Sequence, residues 1–265
     1  MYLEFSPWTL ALFLVPAIAA QRLYGLYQEQ RRLADDLSIA NETLERANLQ
    51  FAGALIATLD ARDRYTAGHS AAVAIYSRDI ARRMELSEDI QELAYLCGLV
   101  HDIGKIGLSP GLLEKPGALT LDERRQMQEH SAIGERILAH VDEYSEIARI
   151  VRHHHERIDG QGYPDGLADD EIPLVSRIIA VADAYNAMTS DRPYRDAMPS
   201  RVARLRLAQA VDSQFDTAAV AAFEAILAGA EEDYRIGERP DFKAFAERVY
   251  EDDSGSGLSA VAEVA

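Results

Sequence analysis

"IVRHHHERIDGQGYPDGL", Ile150 to Leu167, sets three histidines in a row before an acid and a glycine-rich turn that ends Gly162-Tyr163-Pro164. A single histidine is usually an ordinary surface or core residue. Three in succession on a helix point about 100° apart, so they cannot serve one site equally. The stretch therefore asks which of these imidazoles converge, and on what. Four more histidines, His69, His101, His130 and His140, lie upstream. His101 is followed by Asp102 in "LVHDIGKIG", and Asp183 lies inside the apolar run "RIIAVADAYNAM". An unpaired carboxylate buried in such a run is costly and calls for a cation. Neutral imidazoles with carboxylates suit a first-row divalent ion, and two such ions ~3.5–4 Å apart can clamp a phosphoryl group. The rival reading is a set of surface histidines with one hydrogen-bonded buried Asp.

Composition narrows the classes. The chain has 265 residues, 48% of them hydrophobic, enough for one domain with an appendage. Its net charge is -17, from 44 acids against 27 bases. That balance argues against nucleic acid as a partner, which would need a basic face. An anionic substrate would also meet a repulsive field unless local cations offset it. Cys97 is the only cysteine and sits in the apolar "LAYLCGLV". It reads as a buried, inert thiol, and an intrachain disulfide is excluded.

From about Leu55 to Leu227 the pattern is helical, with no strand-like alternation. Thr120 and Glu123 form a capping-box signature before "RRQMQEHSAIGERIL". Upstream, Leu23, Gln30, Leu37, Leu44 and Phe51 fall seven apart. Leu26, Leu33, Ala40, Ala47 and Ala54 repeat the period three residues later. This a/d seam predicts a homodimeric coiled coil over Leu23–Ala54; the alternative is an amphipathic helix packed on its own domain. The apolar run Phe5–Ala20 precedes it, followed by Arg22, Arg31 and Arg32. A membrane helix wants ~20 apolar residues, and basic residues after the run would leave the remainder cytoplasmic. The run is read as a membrane anchor, with a buried or partner-packing helix, or the last helix of a longer sensor, as the alternatives. The expected order is an anchor over 1–21, a signalling helix over 22–54, a catalytic domain over 55–228, a helical extension over 229–251 and a disordered tail over 252–265.

The blocks together are more specific. "HDIGK" (His101–Lys105) resembles the signature of the HD superfamily of metal-dependent phosphohydrolases. "HHERIDGQGYP" (His154–Pro164) resembles the HD-GYP subfamily, whose members hydrolyse cyclic di-GMP. "YTAGHS" (Tyr65–Ser70), "KPGALT" (Lys115–Thr120) and "ADAYNAMTSDRPYR" (Ala182–Arg195) match its other blocks in order. The resemblance covers roughly two-thirds of the chain. It implies an all-α, HD-type helical bundle, preceded here by the coiled-coil helix and the short apolar segment.

It also implies a ligand set for two divalent ions, iron or manganese first among the choices. His69, His101, Asp102 and Asp183 would hold one ion. Asp102 would bridge to a second, held also by His130, His154 and His155. His153 matches no ligand position and is expected to be solvated rather than supporting; His140 is expected to be an ordinary surface residue. Lys105, a helical turn after His101 if the helix continues, would contact the scissile phosphate, and Arg192 and Arg195 would grip substrate phosphates. For these arginines the rival reading is a salt bridge to Asp191 or Asp196. Gly160, Gly162, Tyr163 and Pro164 would form a loop that, in this family, is linked to contacts with GGDEF-domain proteins. Some members hold a third metal through a carboxylate where this chain has Tyr65, so two metals are expected. Asn186 replaces a commonly acidic residue without evident consequence. The activity implied is hydrolysis of cyclic di-GMP to pGpG, GMP or both, through water activated between the metals. The other classes open are a non-hydrolysing cyclic-dinucleotide receptor and an HD phosphohydrolase acting on another nucleotide.

Overall fold

The structure, a computed structural model, describes residues 7–62, 68–113, 115, 117–191 and 196–237. Tyr65, Arg192, Arg195 and everything beyond 237, including the expected tail, lie outside the described residues. Among the described residues all regular structure is helical; the sole β feature is an isolated bridge between Val211 and Phe215. The fold class read from the sequence holds. By its internal contacts the chain divides into Met1–Phe51 and Ala52–Ala265.

Helix α1 runs Pro7–Arg62 with Pro16 inside it. Its apolar residues Leu23, Leu26, Leu33 and Leu37 are 60–72% exposed. The side chains of the later seam positions Leu44, Ala47, Phe51 and Ala54 lie outside the described residues. No described helix is long and apolar enough to cross a membrane. The run Phe5–Ala20, read as an anchor, is broken by Pro16 and followed at once by Gln21 and Arg22.

The second unit is built on α2 (His69–Arg83), α3 (Glu88–Val100), α4 (Pro110–Leu113) and α5 (Leu121–Leu138). It continues with α6 (Ser145–Arg152), α7 (Leu174–Thr189), α8 (Ser200–Gln209), α9 (Thr217–Gly229) and α10 (Glu232–Arg235). Local signals start several of them. Ser87 caps α3 by accepting from Ile90 N, and Asp216 caps α9 by accepting from Ala219 N. The Thr120–Glu123 capping box is complete: Thr120 Oγ1 accepts from Glu123 N, and Glu123 accepts from Thr120 N. Such caps satisfy amides that the first turn leaves open, each contributing ~1 kcal/mol.

α2 is the axis of the core. Every residue from Ser70 to Ser77 is buried, and the helix packs on α3, α7 and α9. Tyr76, Tyr185 and Phe223 form an aromatic cluster with ring centroids 5.0–5.8 Å apart. The two buried hydroxyls need polar partners. Tyr76 donates to Tyr234 O at 2.6 Å, and Tyr185 meets Ser200 Oγ at 2.7 Å and Arg235 O at 3.0 Å. These bonds tie α10 onto α2 and α7. Cys97 is fully buried as expected, and burial pushes its thiol well up.

Candidate metal centre

Three helix ends and two helix faces carry the sequence-predicted ligands. α3 stops at Val100, leaving His101 as its C-cap and Asp102 in the turn behind. The helix does not continue: Ile103–Gly107 is a tighter 3-10 turn. In that geometry residues three apart eclipse, so Lys105 stands over Asp102 with Nζ 2.6 Å from Oδ2. The condition for aligning Lys105 with His101, a continuing helix, is not met. The 3-10 turn presses against α5 at Gly104, where an added Cβ would lie 1.8 Å from His130 O and 2.5 Å from Gly134 N. Only glycine permits that approach, and it brings His130 to Asp102.

α6 ends at Arg152, so His153 is its C-cap and His154 and His155 lie in the following turn. The 100° rule therefore does not apply to the triplet. The rings of His154 and His155 lie together, centroids 4.0 Å apart. The last carbonyls of a helix lack intrahelical partners, and two of these imidazoles use the carbonyls of α6: His153 Nδ1 donates to Arg149 O at 2.8 Å and His154 Nδ1 to Val151 O at 2.6 Å. His101 likewise donates from Nδ1 to Gly98 O, and His130 to Met127 O, each at 2.7 Å. With Nδ1 so engaged, Nε2 carries the free lone pair.

Those Nε2 atoms converge. Asp102, His130, His154 and His155 offer ligand atoms that all lie within 4.8 Å of one another, and so do His69, His101 and Asp183. Asp102 Oδ1 is 3.4 Å from His130 Nε2; its Oδ2 is 3.4 Å from His101 Nε2 and 3.9 Å from His69 Nε2. His69 Nε2 is 3.3 Å from Asp183 Oδ1. The donor set fits a metal on three counts. His101 Nε2 is buried and makes no hydrogen bond. His130 Nε2 and His154 Nε2 face each other at 3.4 Å, and two lone pairs so opposed ask for a cation between them. One carboxylate also reaches both clusters.

The charge states of the second cluster's three imidazoles agree with ligation, since imidazole binds metal as the neutral ring. Burial, then the neighbouring His155, pushes His154 well down; burial, then His130, holds His155 at about 3. Burial also lowers His130, against the pull of Asp102. Burial opposes ionisation of Asp102, yet Lys105, His101 and His130 hold it well below the usual carboxylate range. Asp183 is held down by His69 in the same way, again against burial. His101 is depressed by burial but raised overall by Asp102.

His153 is the exception in place and in surroundings. It joins neither cluster, but it is only 9% exposed, which corrects the expectation of a solvated ring. Its Nε2 meets Asp165 Oδ2 at 3.0 Å. Arg152 holds the same carboxylate through Nε at 2.7 Å and Nη2 at 2.8 Å. Buried Glu156 accepts from the amides of Asp165 and Gly166 at 2.7 and 3.1 Å. These contacts clamp the glycine-rich loop. At Gly162 a Cβ would fall 2.4 Å from Arg157 N, so that position too must be glycine. Gly160 has φ +71°, and the Tyr163–Pro164 peptide is cis. The Tyr163 ring lies over His155, centroids 4.8 Å apart and 33° between planes. Burial, with Asp183 and Asp102 near, pushes its hydroxyl well up. His140 is exposed, as expected.

Arg152, Glu156, Asp165 and Asn186 were not among the predicted site residues. Asn186 carried a legible signal: it follows Asp183 by three on α7, so both share one helix face. The loop-clamping residues carried none beyond their place in the stretch Ile150–Leu167.

A family model described as HD domain matches residues 20–219. The 3'3'-cGAMP-specific phosphodiesterase 3 of Vibrio cholerae is 45% identical over 141 residues, covering 53% of this chain and 31% of its own length. A cyclic di-GMP phosphodiesterase of Pseudomonas aeruginosa is 42% identical over 152 residues, covering 57% of this chain and 37% of its own length. The chain thus spans about a third of the length of these curated relatives. The crystal structure of a cyclic GMP-AMP-specific phosphodiesterase of V. cholerae is similar with a TM-score of 0.55 at 17% identity, covering 75% of this chain and 53% of that one, a likeness of fold. With the family model spanning most of the chain, and the His-Asp and GYP blocks in their expected order, the chain belongs to the HD domain family and to its HD-GYP group.

Proposed function

We propose that this chain is a metal-dependent phosphodiesterase that hydrolyses cyclic di-GMP to pGpG, GMP or both, and so lowers the level of a second messenger. The observation that carries this reading is the meeting of two ligand clusters at one carboxylate, Asp102. Its support from relatives is that similar chains are named cyclic di-GMP and 3'3'-cGAMP phosphodiesterases.

His69, His101, Asp102 and Asp183 would hold one ion, and Asp102, His130, His154 and His155 the other. Two divalent ions, iron or manganese in our reading, would supply Lewis acidity and a lowered pKa for water when bound. The chain's own residues do the rest. His101, His130 and His154 are aimed inward because their outer nitrogens are already spent on carbonyls. Lys105 keeps an ammonium beside Asp102, where it meets negative charge developing on a phosphoryl oxygen. Tyr163 covers His155 and keeps water from that side of the centre. Arg192 and Arg195 would grip the flanking phosphates. These local cations offset a net charge of -17.

We further propose that the exposed seam of α1 pairs two copies of the chain over Leu23–Ala54, and that the loop at Gly160–Pro164 meets GGDEF-domain proteins. Membrane attachment through the N-terminal segment belongs to the same proposal.

A second substrate has a specific observation behind it. The relative at 45% identity is named for 3'3'-cGAMP. Incubation of the purified chain with Mn²⁺ and either dinucleotide, with chromatography of the products, separates the readings. Linear product from cyclic di-GMP, abolished in His101→Ala/Asp102→Ala, is expected. Preferential turnover of 3'3'-cGAMP would move the substrate assignment. A chain that binds two metals and the dinucleotide but cleaves neither would be a receptor.

A further inference from the structure

His69 is the one histidine of the first cluster whose orientation its own helix cannot set. α2 begins at His69, so no carbonyl of that helix lies a turn behind it. His101, His130 and His154 all donate from Nδ1 to a backbone carbonyl three residues back. His69 instead donates from Nδ1 to the side-chain oxygen of Asn186, at 2.7 Å and 117 residues away. Asn186 is 2% exposed, one turn after Asp183 on α7. Ser190 Oγ donates to the same oxygen at 3.3 Å. The amide is also hemmed in from the far side. Gly237 follows α10 with φ +73°, and a Cβ there would approach Asn186 Nδ2 to 3.1 Å.

We propose that Asn186 is the positioning residue of His69. Its oxygen selects the tautomer with hydrogen on Nδ1, so Nε2 presents a lone pair toward Asp183 and Asp102, 3.3 and 3.9 Å away. A partner of this kind fixes both ring direction and ligand strength, and its loss typically costs ~10–100-fold in metal affinity. The amide also has a reason to be an amide. The first cluster already carries two carboxylates, Asp102 and Asp183, and a neutral acceptor orients the imidazole without adding a third negative charge beside them. An aspartate at 186 keeps the acceptor and makes His69 a stronger donor to a cation.

The inference rests on the metal reading of the centre, and the test keeps the two apart. Mn²⁺ is titrated calorimetrically into the metal-stripped full chain, its Asn186→Leu and Asn186→Asp variants, with thermal melting recorded before metal is added. The wild type is expected to take two ions. Asn186→Leu is expected to weaken one of them by ~10–100-fold and leave the other within about twofold, while Asn186→Asp binds both at least as tightly as the wild type. If Asn186→Leu does not melt cooperatively, Asn186→Ala takes its place with the same expectation. Wild-type affinity at both ions in the variant without the acceptor overturns the inference alone. So does an Asn186→Asp variant that loses the ion as the leucine does, because the residue would then be packing rather than orienting. A wild-type chain that binds no Mn²⁺ overturns the metal reading itself.

Discussion

Replacing Gly104 with alanine puts a methyl group where the chain has no room for one. The new Cβ would sit 1.8 Å from His130 O, against the 3.0 Å that real Cβ contacts respect, so backbone must retreat from backbone by about 1.2 Å. Neither partner is a flexible side chain. Forcing a methyl into a packed interior costs ~1–3 kcal/mol, and this contact belongs at the top of that range. Alanine returns up to ~1 kcal/mol by restricting the unfolded chain, which leaves a net loss of ~2 kcal/mol. For a unit of this size that lowers the melting temperature by ~4–8 °C. The retreat also carries Asp102 away from His130 Nε2, now 3.4 Å apart, so metal content should fall along with stability. Gly111→Ala is the control: nothing lies within 4 Å of its Cβ, and it should be neutral or slightly stabilising. Differential scanning calorimetry with metal analysis reads both effects. Unchanged melting and full metal content in Gly104→Ala would refute the claim that this approach builds the centre.

Alanine at His153 should leave two metals bound and cost ~1 kcal/mol through the lost Asp165 contact, whereas alanine at His154 or His155 should empty the second cluster; equal metal loss at all three would contradict the turn geometry. Metal-stripped protein should lose stability on acidification from pH ~6.5. His155 protonates at about 3 when folded and near 6.5 when unfolded, so between those values the unfolded chain binds the extra proton. The group then contributes a slope of up to ~1.4 kcal/mol per pH unit. His154 and His130 act in the same direction and His101 against them. Melting that stays flat or rises from pH 7 to 5 would sink this account. Leu33→Glu/Leu37→Glu should shift the chain toward monomer in sedimentation if the α1 seam joins two copies; an unchanged dimer would place the interface elsewhere.

What was legible in the sequence was local. The Thr120–Glu123 box and the buried Cys97 need only their neighbours to be read. The all-helical class followed from periodicity and motif order. What failed depended on where helices stop. Nothing between Ile150 and Gly160 announces that α6 ends at Arg152, so the sequence reads His153–His155 as three positions on one helix. The tightening to a 3-10 turn after Asp102 is likewise forced by the approach of Gly104 to α5, a tertiary contact with no local signature. Asn186 shares a helix face with Asp183, which spacing shows, but its partner His69 is 117 residues away and only the fold joins them. The sequence around His153 does not show its partner, because Asp165 lies beyond the glycine turn.

The most direct test of the account is anomalous diffraction from crystals of the chain grown with Mn²⁺. Two peaks are predicted, with Asp102 reaching both: one contacted by His69, His101 and Asp183, the other by His130, His154 and His155. No peak at these residues, or a single ion that Asp102 does not touch, would contradict it.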